Sequence, residues 1–197
     1  MQHYNVNRSD AGISAFKFLK EFRNCPDNQT QSLDQYRCEL WKTALPEQHK
    51  HLDYEIYQQW IYWRYVFLQV PPELVEMLKN LHKNYLLAII TNGPSNAQWE
   101  KIQKLQLNMP KNRFFDCILV SGDIPNCEKP DSKIFHAACN YLNVAPQNVM
   151  MVGDKLETDI QVMLNYKLIN FVIFIHSFTQ FYRFLIQTYI INIIISL

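Results

Sequence analysis

The sequence predicts an α/β domain built around a parallel sheet, preceded by a helical region and followed by an apolar tail. Three observations carry the prediction. Residues 10 to 70 repeat apolar and aromatic side chains at helical spacing and hold no alternating strand pattern. Residues 71 to 161 alternate short apolar runs with amphipathic stretches, the pattern of strands buried on both faces and joined by helices. Each apolar run ends in a polar cluster that contains glycine, and in doubly wound sheets ligands bind beyond the carboxyl ends of the strands.

Composition sets the frame. A chain of 197 residues suits one domain, or one domain with a small appendage. It is 48% hydrophobic and 19% charged, which is a globular balance. The net charge of +1, with no run of like charges, gives no electrostatic footprint for a nucleic-acid partner. Cys25, Cys38, Cys117, Cys127 and Cys139 are odd in number and form no C-x-x-C pair. That excludes a disulfide framework or a zinc module and predicts reduced thiols in a cytoplasmic protein. The polar opening, MQHYNVNRSDAG, is not the apolar core of a signal peptide.

The helical region, residues 1 to 70, is marked by Ile13, Phe16, Leu19 and Phe22, then by Leu33, Tyr36, Leu40 and Trp41, and then by Tyr54, Tyr57, Trp60, Ile61 and Phe67. Packing between helices is the simpler reading of these aromatic stripes, a ligand pocket the sharper one. Pro71 and Pro72 open the next helix, with Leu74, Val75, Leu78 and Leu81 on one face. A first strand spans 86–90 and leads into Thr91-Asn92-Gly93-Pro94, followed by a helix over 95–105. A second strand, 117–120, leads into Ser121-Gly122-Asp123. After Glu128-Lys129-Pro130, Asp131 can cap a helix carrying Ile134, Phe135, Ala138 and Leu142. A third strand, 149–152, runs into Gly153-Asp154.

These strand-end clusters hold the groups that phosphoryl transfer requires. The phosphoryl oxygens need hydrogen-bond donors, a nearby cation and a divalent metal. Thr91 offers a hydroxyl, and Asn92 and Gly93 offer backbone N–H groups in a strand-to-helix turn. Lys129 offers a compact positive charge. Asp154 offers a hard oxygen ligand for Mg2+, and Asp159, five residues on, can support the metal from behind. Taken singly, TNG also reads as a turn, Lys129 as a solvated loop lysine, and Gly153 to Asp159 as a strand end and helix cap. The ordered set, a strand with TNG, then EKPD, then a strand with GDKLETD, is far more specific than any member.

That set resembles the second, third and fourth motifs of the haloacid-dehalogenase-like phosphohydrolases. Within that superfamily, IITNGPSNAQWEKI, EKPDSKIF and MMVGDKLETDIQ are most similar to the branch acting on sialic-acid 9-phosphates. The resemblance is specific over residues 71 to 161 and looser over the helical region. It implies a Rossmann-like core with an α-helical cap, Mg2+ as cofactor, a phosphorylated sugar acid as substrate and aspartyl-phosphate chemistry. By position, Thr91, Asn92 and Gly93 would bind phosphate. Lys129 would steady phosphate and nucleophile, and so act in catalysis. Asp154 would ligate the metal.

Two departures shape the expectations. The family's first strand ends in D-x-D-x-T, whose first Asp is the nucleophile, and no D-x-D pair occurs here. That strand lies in the middle of the family's sheet, so its loss is expected to expose two strand edges and leave the chain poorly soluble or molten. The second departure is the tail, residues 162 to 197. It lacks glycine, proline, Asp and Glu, and is dominated by residues with AT-rich codons. Valine codons begin with GT, as introns do, so the tail from Val162 reads as translated intron. Residues 169 to 197 could cross a bilayer by length, since a span takes about 20 apolar residues. But His176, Gln180, Arg183, Gln187 and Asn192 interrupt them, and a central Arg costs about 2.5–3.5 kcal/mol on insertion scales, which argues against a membrane span. Residues near 170 to 175 can instead imitate a buried core strand. Three functional classes follow: a Mg2+-dependent phosphatase impaired by the missing nucleophile, a non-catalytic phosphate- or protein-binding remnant, and a non-functional fragment. Oligomeric state and exact substrate are not encoded in any motif.

Overall fold

The helical periodicity of the first third becomes three α-helices in the computed structural model, which describes residues 6–23, 25, 31–108, 114–153, 156–160, 171–174 and 192–196. The chain divides into a unit of residues Met1–Phe67 and a unit of residues Leu68–Leu197.

The first unit contains α1 (Arg8–Arg23), α2 (Leu33–Ala44) and α3 (Asp53–Phe67), with a short 3-10 turn over Glu47–Leu52. Ser32 caps α2: its hydroxyl accepts from the Gln35 N–H, and the Gln35 side chain accepts from the Ser32 N–H. Phe18, Trp41, Ala44, Leu45, Ile56 and Tyr57 form the core, with Phe18 stacked on Trp41 at 4.2 Å. Arg37 is fully buried there, its guanidinium 5.1 Å from the Phe22 ring, 5.5 Å from the Trp60 ring and 3.5 Å from Asp34. The buried face of α1 differs from the predicted stripe. Ser14 and Phe18 are inside, while Ile13, Phe16 and Leu19 are exposed. A spacing of three slips about 60° around the helix at each step, whereas a spacing of four drifts about 40° the other way, so a run of threes winds off the face.

The second unit alternates as predicted: α4 (Pro72–His82), β1 (Leu87–Thr91), α5 (Ser95–Lys104), β2 (Cys117–Val120), α6 (Lys133–Leu142) and β3 (Val149–Gly153). A turn of π-helix, Leu156–Ile160, follows β3. Every residue of β1 is buried, as befits a strand covered on both faces. The α6 face of Ile134, Phe135, Ala138 and Cys139 packs with Ala88, Ile90, Cys117, Val149 and Met151. Asp131 precedes α6 and accepts a hydrogen bond from the Lys133 N–H at 2.9 Å, while Ser132 takes the cap position.

The tail contributes two more strands, β4 (Phe171–Phe174) and β5 (Asn192–Ser196). Strand β4 falls where a core strand could be imitated and runs parallel to β3, pairing Met150 with Phe171 and Gly153 with Phe174. Strand β5 departs from expectation. The sheet order is β2-β1-β5-β3-β4, so β5 fills its centre, antiparallel to both neighbours. Ala88 and Met151 both pair with Ile194, so β1 and β3 are not left with open inner edges. The physical reason is compositional: Asn192-Ile193-Ile194-Ile195-Ser196 is a short β-branched run, which suits a strand paired on both sides. Among the described residues no helix is long and apolar enough to cross a membrane.

Removing residues 192 to 197 is therefore expected to abolish a cooperative thermal melt and cause aggregation, because both inner edges open at once. Scanning calorimetry with light scattering checks this; an unchanged melt would show that β5 does not hold the sheet. A second expectation concerns pH. Burial, with Asp116 adding to it, pushes the Cys117 thiol up to about 11. The folded state keeps the proton and the unfolded chain releases it. The contribution is thus complete below the ordinary thiol pKa and is lost as pH rises from there through about 11. Urea unfolding across that window should show a decline that Cys117→Ala reduces.

Candidate phosphate site

The site is assembled at the carboxyl ends of β1 and β3. These strands run in the same direction, since each is antiparallel to β5, so Thr91 and Gly153 close the same edge of the sheet. Thr91 is the last residue of β1 and fully buried, and α5 starts four residues later. The turn between them aims a helix N-terminus and its partial positive charge at this edge. Gly93 adopts φ +133°, a conformation that disfavours a side chain, and a Cβ there would run into the Gln98 amide.

Lys129 enters from the loop before α6 and is brought to Thr91's neighbourhood. Its ammonium lies 3.5 Å from the Ile90 carbonyl oxygen and donates to Asp159 Oδ1 at 3.0 Å. Both side chains are almost fully buried, at 1% and 0% exposure, so each charge depends on the other. Thr158 Oγ1 adds a 3.1 Å hydrogen bond to the same carboxylate oxygen. Gly153 explains how Asp159 gets so close to the strand: a Cβ on it would sit 2.6 Å from the Asp159 Cβ. Asp159 was expected to support a metal; the structure sets it against Lys129.

Asn92 was expected to meet phosphate. Its side chain clasps the Lys129 backbone, with Nδ2 donating to the Lys129 carbonyl at 2.7 Å and Oδ1 accepting from the Lys129 N–H at 2.9 Å, which leaves the expectation for its backbone N–H untouched. Gly93's N–H donates to Ser121 Oγ at 3.0 Å, so it reaches an anion only if Ser121 gives way. Ser121 was visible in the sequence as the end of the second strand but was given no role. The register that pairs Thr91 with Val120 sets it beside the turn. Gln98 and Lys101 were also missed. Gln98 Oε1 accepts from Thr91 Oγ1 at 3.0 Å and from Lys101 Nζ at 2.8 Å. The available signal was their i,i+3 spacing on the helix that starts at this turn.

Asp154 lies outside the described residues. Among the described residues no three His, Cys, Asp or Glu side chains converge as a metal centre. With Asp159 held by Lys129, the sequence still offers one carboxylate at the strand end.

Lys129→Met is expected to destabilise the second unit by about 3–5 kcal/mol, because it strands a buried carboxylate. Adding Asp159→Leu should recover much of that loss. Urea denaturation of the two variants measures both effects; a single variant as stable as the parent would mean that the pair is not buried as described.

The chain is similar to several known phosphatases. The N-acylneuraminate-9-phosphatase of Homo sapiens is 32% identical over 152 residues, covering 75% of this chain and 59% of that protein. The glyceraldehyde 3-phosphate phosphatase of Pyrococcus furiosus is 38% identical over 92 residues, 47% of this chain and 36% of that protein. The phosphoserine phosphatase of Thermus thermophilus is 33% identical over 91 residues, 46% of this chain and 34% of that protein. The chain thus spans about three fifths of the human relative's length, 59%. The family model for haloacid dehalogenase-like hydrolases matches residues 13–165, more than half of the chain, and the chain belongs to that family.

Proposed function

We propose that the chain carries the phosphate-gripping part of a phosphatase site, and that the protein hydrolyses the phosphate monoester of a sugar acid. The observation that carries this reading is the buried Lys129 ammonium, held by Asp159 at the end of β1 beside Thr91. A fixed cation beside a hydroxyl and a helix N-terminus offers preorganised stabilisation to an anion that gains charge during transfer. Lys129 acts as the charge-stabilising catalytic group, Thr91 as a donor to a phosphoryl oxygen, and the Asn92–Gly93 turn as the wall of the phosphate pocket. Mg2+, held by Asp154 and the phosphate, would neutralise the remaining oxygens. N-acylneuraminate 9-phosphate is the substrate to test first, on the strength of the human relative. Five cysteines free of disulfides suit a reducing compartment such as the cytoplasm.

A second reading has its own support. Covalent catalysis by this chemistry needs a carboxylate nucleophile, and these residues contain no D-x-D pair. The same groups can then bind a phosphate without turning it over.

The test is an assay of the purified chain with a generic aryl phosphate and with N-acylneuraminate 9-phosphate, with and without Mg2+. Turnover at background is expected, together with phosphate binding that Thr91→Ala or Lys129→Met weakens about tenfold, the loss of one charge-assisted contact. Mg2+-dependent turnover abolished by Asp154→Ala and by EDTA would instead require a nucleophile among these residues, Asp10 being the first to mutate. Absence of phosphate binding would refute both readings.

A further inference from the structure

Gln98 and Lys101 form a polar relay behind Thr91. Both lie on α5, three residues apart and hence on one face. Lys101 is buried to 7% exposure, an unusual place for a lysine, and its ammonium donates to Gln98 Oε1 at 2.8 Å. An ammonium only donates, so the oxygen of the Gln98 amide faces Lys101 and its NH2 lies on the other side. That NH2 lies over Gly93, in the space a Cβ on Gly93 would fill. The Thr91 hydroxyl, 3.0 Å from the same Oε1, must be the donor in that bond.

We propose that Gln98 and Lys101 are positioning residues that set the hydroxyl proton of Thr91, Gln98 holding it when the site is empty and Lys101 keeping Gln98 satisfied when an anion takes it. The inference rests on the reading of Thr91 as a phosphate donor. A threonine hydroxyl has one proton. To donate to a phosphoryl oxygen, Thr91 must rotate that proton away from Gln98, which would leave a buried amide oxygen without a donor. Lys101 already donates to that oxygen, so the rotation carries little penalty. The same bond pins the Gln98 NH2 against the turn, where Gly93 leaves room for it. The relay therefore makes Thr91 a switchable donor and fixes the shape of the turn.

Calorimetry of the full chain with inorganic phosphate tests this, alongside thermal melts of each variant. Thr91→Ala is expected to weaken binding about tenfold, the value of one hydrogen bond. Gln98→Met takes away the acceptor that holds the proton when the site is empty, so it should tighten binding several-fold, and adding Thr91→Ala should cancel that gain. Lys101→Met should weaken binding several-fold, Lys101→Arg should restore it, and the loss should vanish beside Gln98→Met. If Gln98→Met does not fold, Gln98→Leu takes its place. Weaker binding by the Gln98 variant, a Lys101→Met loss that persists beside it, or parent-like binding by Lys101→Met while Thr91→Ala is impaired, would overturn the relay and leave the phosphate site standing. Equal binding by the parent and Thr91→Ala would remove the phosphate reading of Thr91, and the relay with it.

Discussion

Lys129 and Asp159 face each other at 3.0 Å with almost no exposure to solvent, and much of the second unit's architecture at this edge serves that pair. Two isolated charges would not survive such burial, since each carries a desolvation penalty of several kcal/mol. The pair holds only because its surroundings fix both partners. Asn92 grips the Lys129 backbone from two sides, the Ile90 carbonyl faces the ammonium, and Thr158 bonds the carboxylate. Gly153 is bare so that Asp159 can lie against the strand.

The pair also explains how distant segments come to share one edge. Lys129 belongs to the loop before α6, Ile90 to β1 and Asp159 to the turn after β3. Strands β1 and β3 are not neighbours, because β5 lies between them. The ion pair and the carbonyl contact therefore bridge the sheet above its central strand. Around the turn at Thr91, a second set of bonds from Ser121, Gln98 and Lys101 satisfies groups that a strand end would otherwise leave open. The turn at Thr91 and the Lys129–Asp159 pair are thus each held by several side-chain hydrogen bonds.

The sheet itself is mixed in a way that helix-joined strands do not produce alone. Strands β1, β2, β3 and β4 share one direction, as connections through helices dictate. Strand β5 opposes them and supplies hydrogen bonds to two edges that would otherwise be bare. An antiparallel strand can serve because the ladder on each neighbour needs donors and acceptors in register, and either direction provides them.

The sequence alone determined the elements of the second unit, because strong signals coincide there. The runs at 86–90, 117–120 and 149–152 are short and wholly apolar, and glycine or proline closes each, so strand ends and helix starts were legible to within a residue or so. It also marked Thr91, Lys129 and Asp159 as polar groups at or just beyond strand ends, and tertiary contacts then join Lys129 to Ile90 and Asp159. Tertiary structure decided what each residue does there. Asn92 became a clasp on Lys129 and Asp159 a counter-ion, because hydrogen-bond partners come from segments about thirty or more residues away. Gln98 and Lys101 entered the site because a helix folds back over its own turn. Only the tertiary structure could place β5 at the centre of the sheet. A run of isoleucines specifies that a strand is to be buried, but pairing partners, direction and register are set by which edges the rest of the fold leaves open.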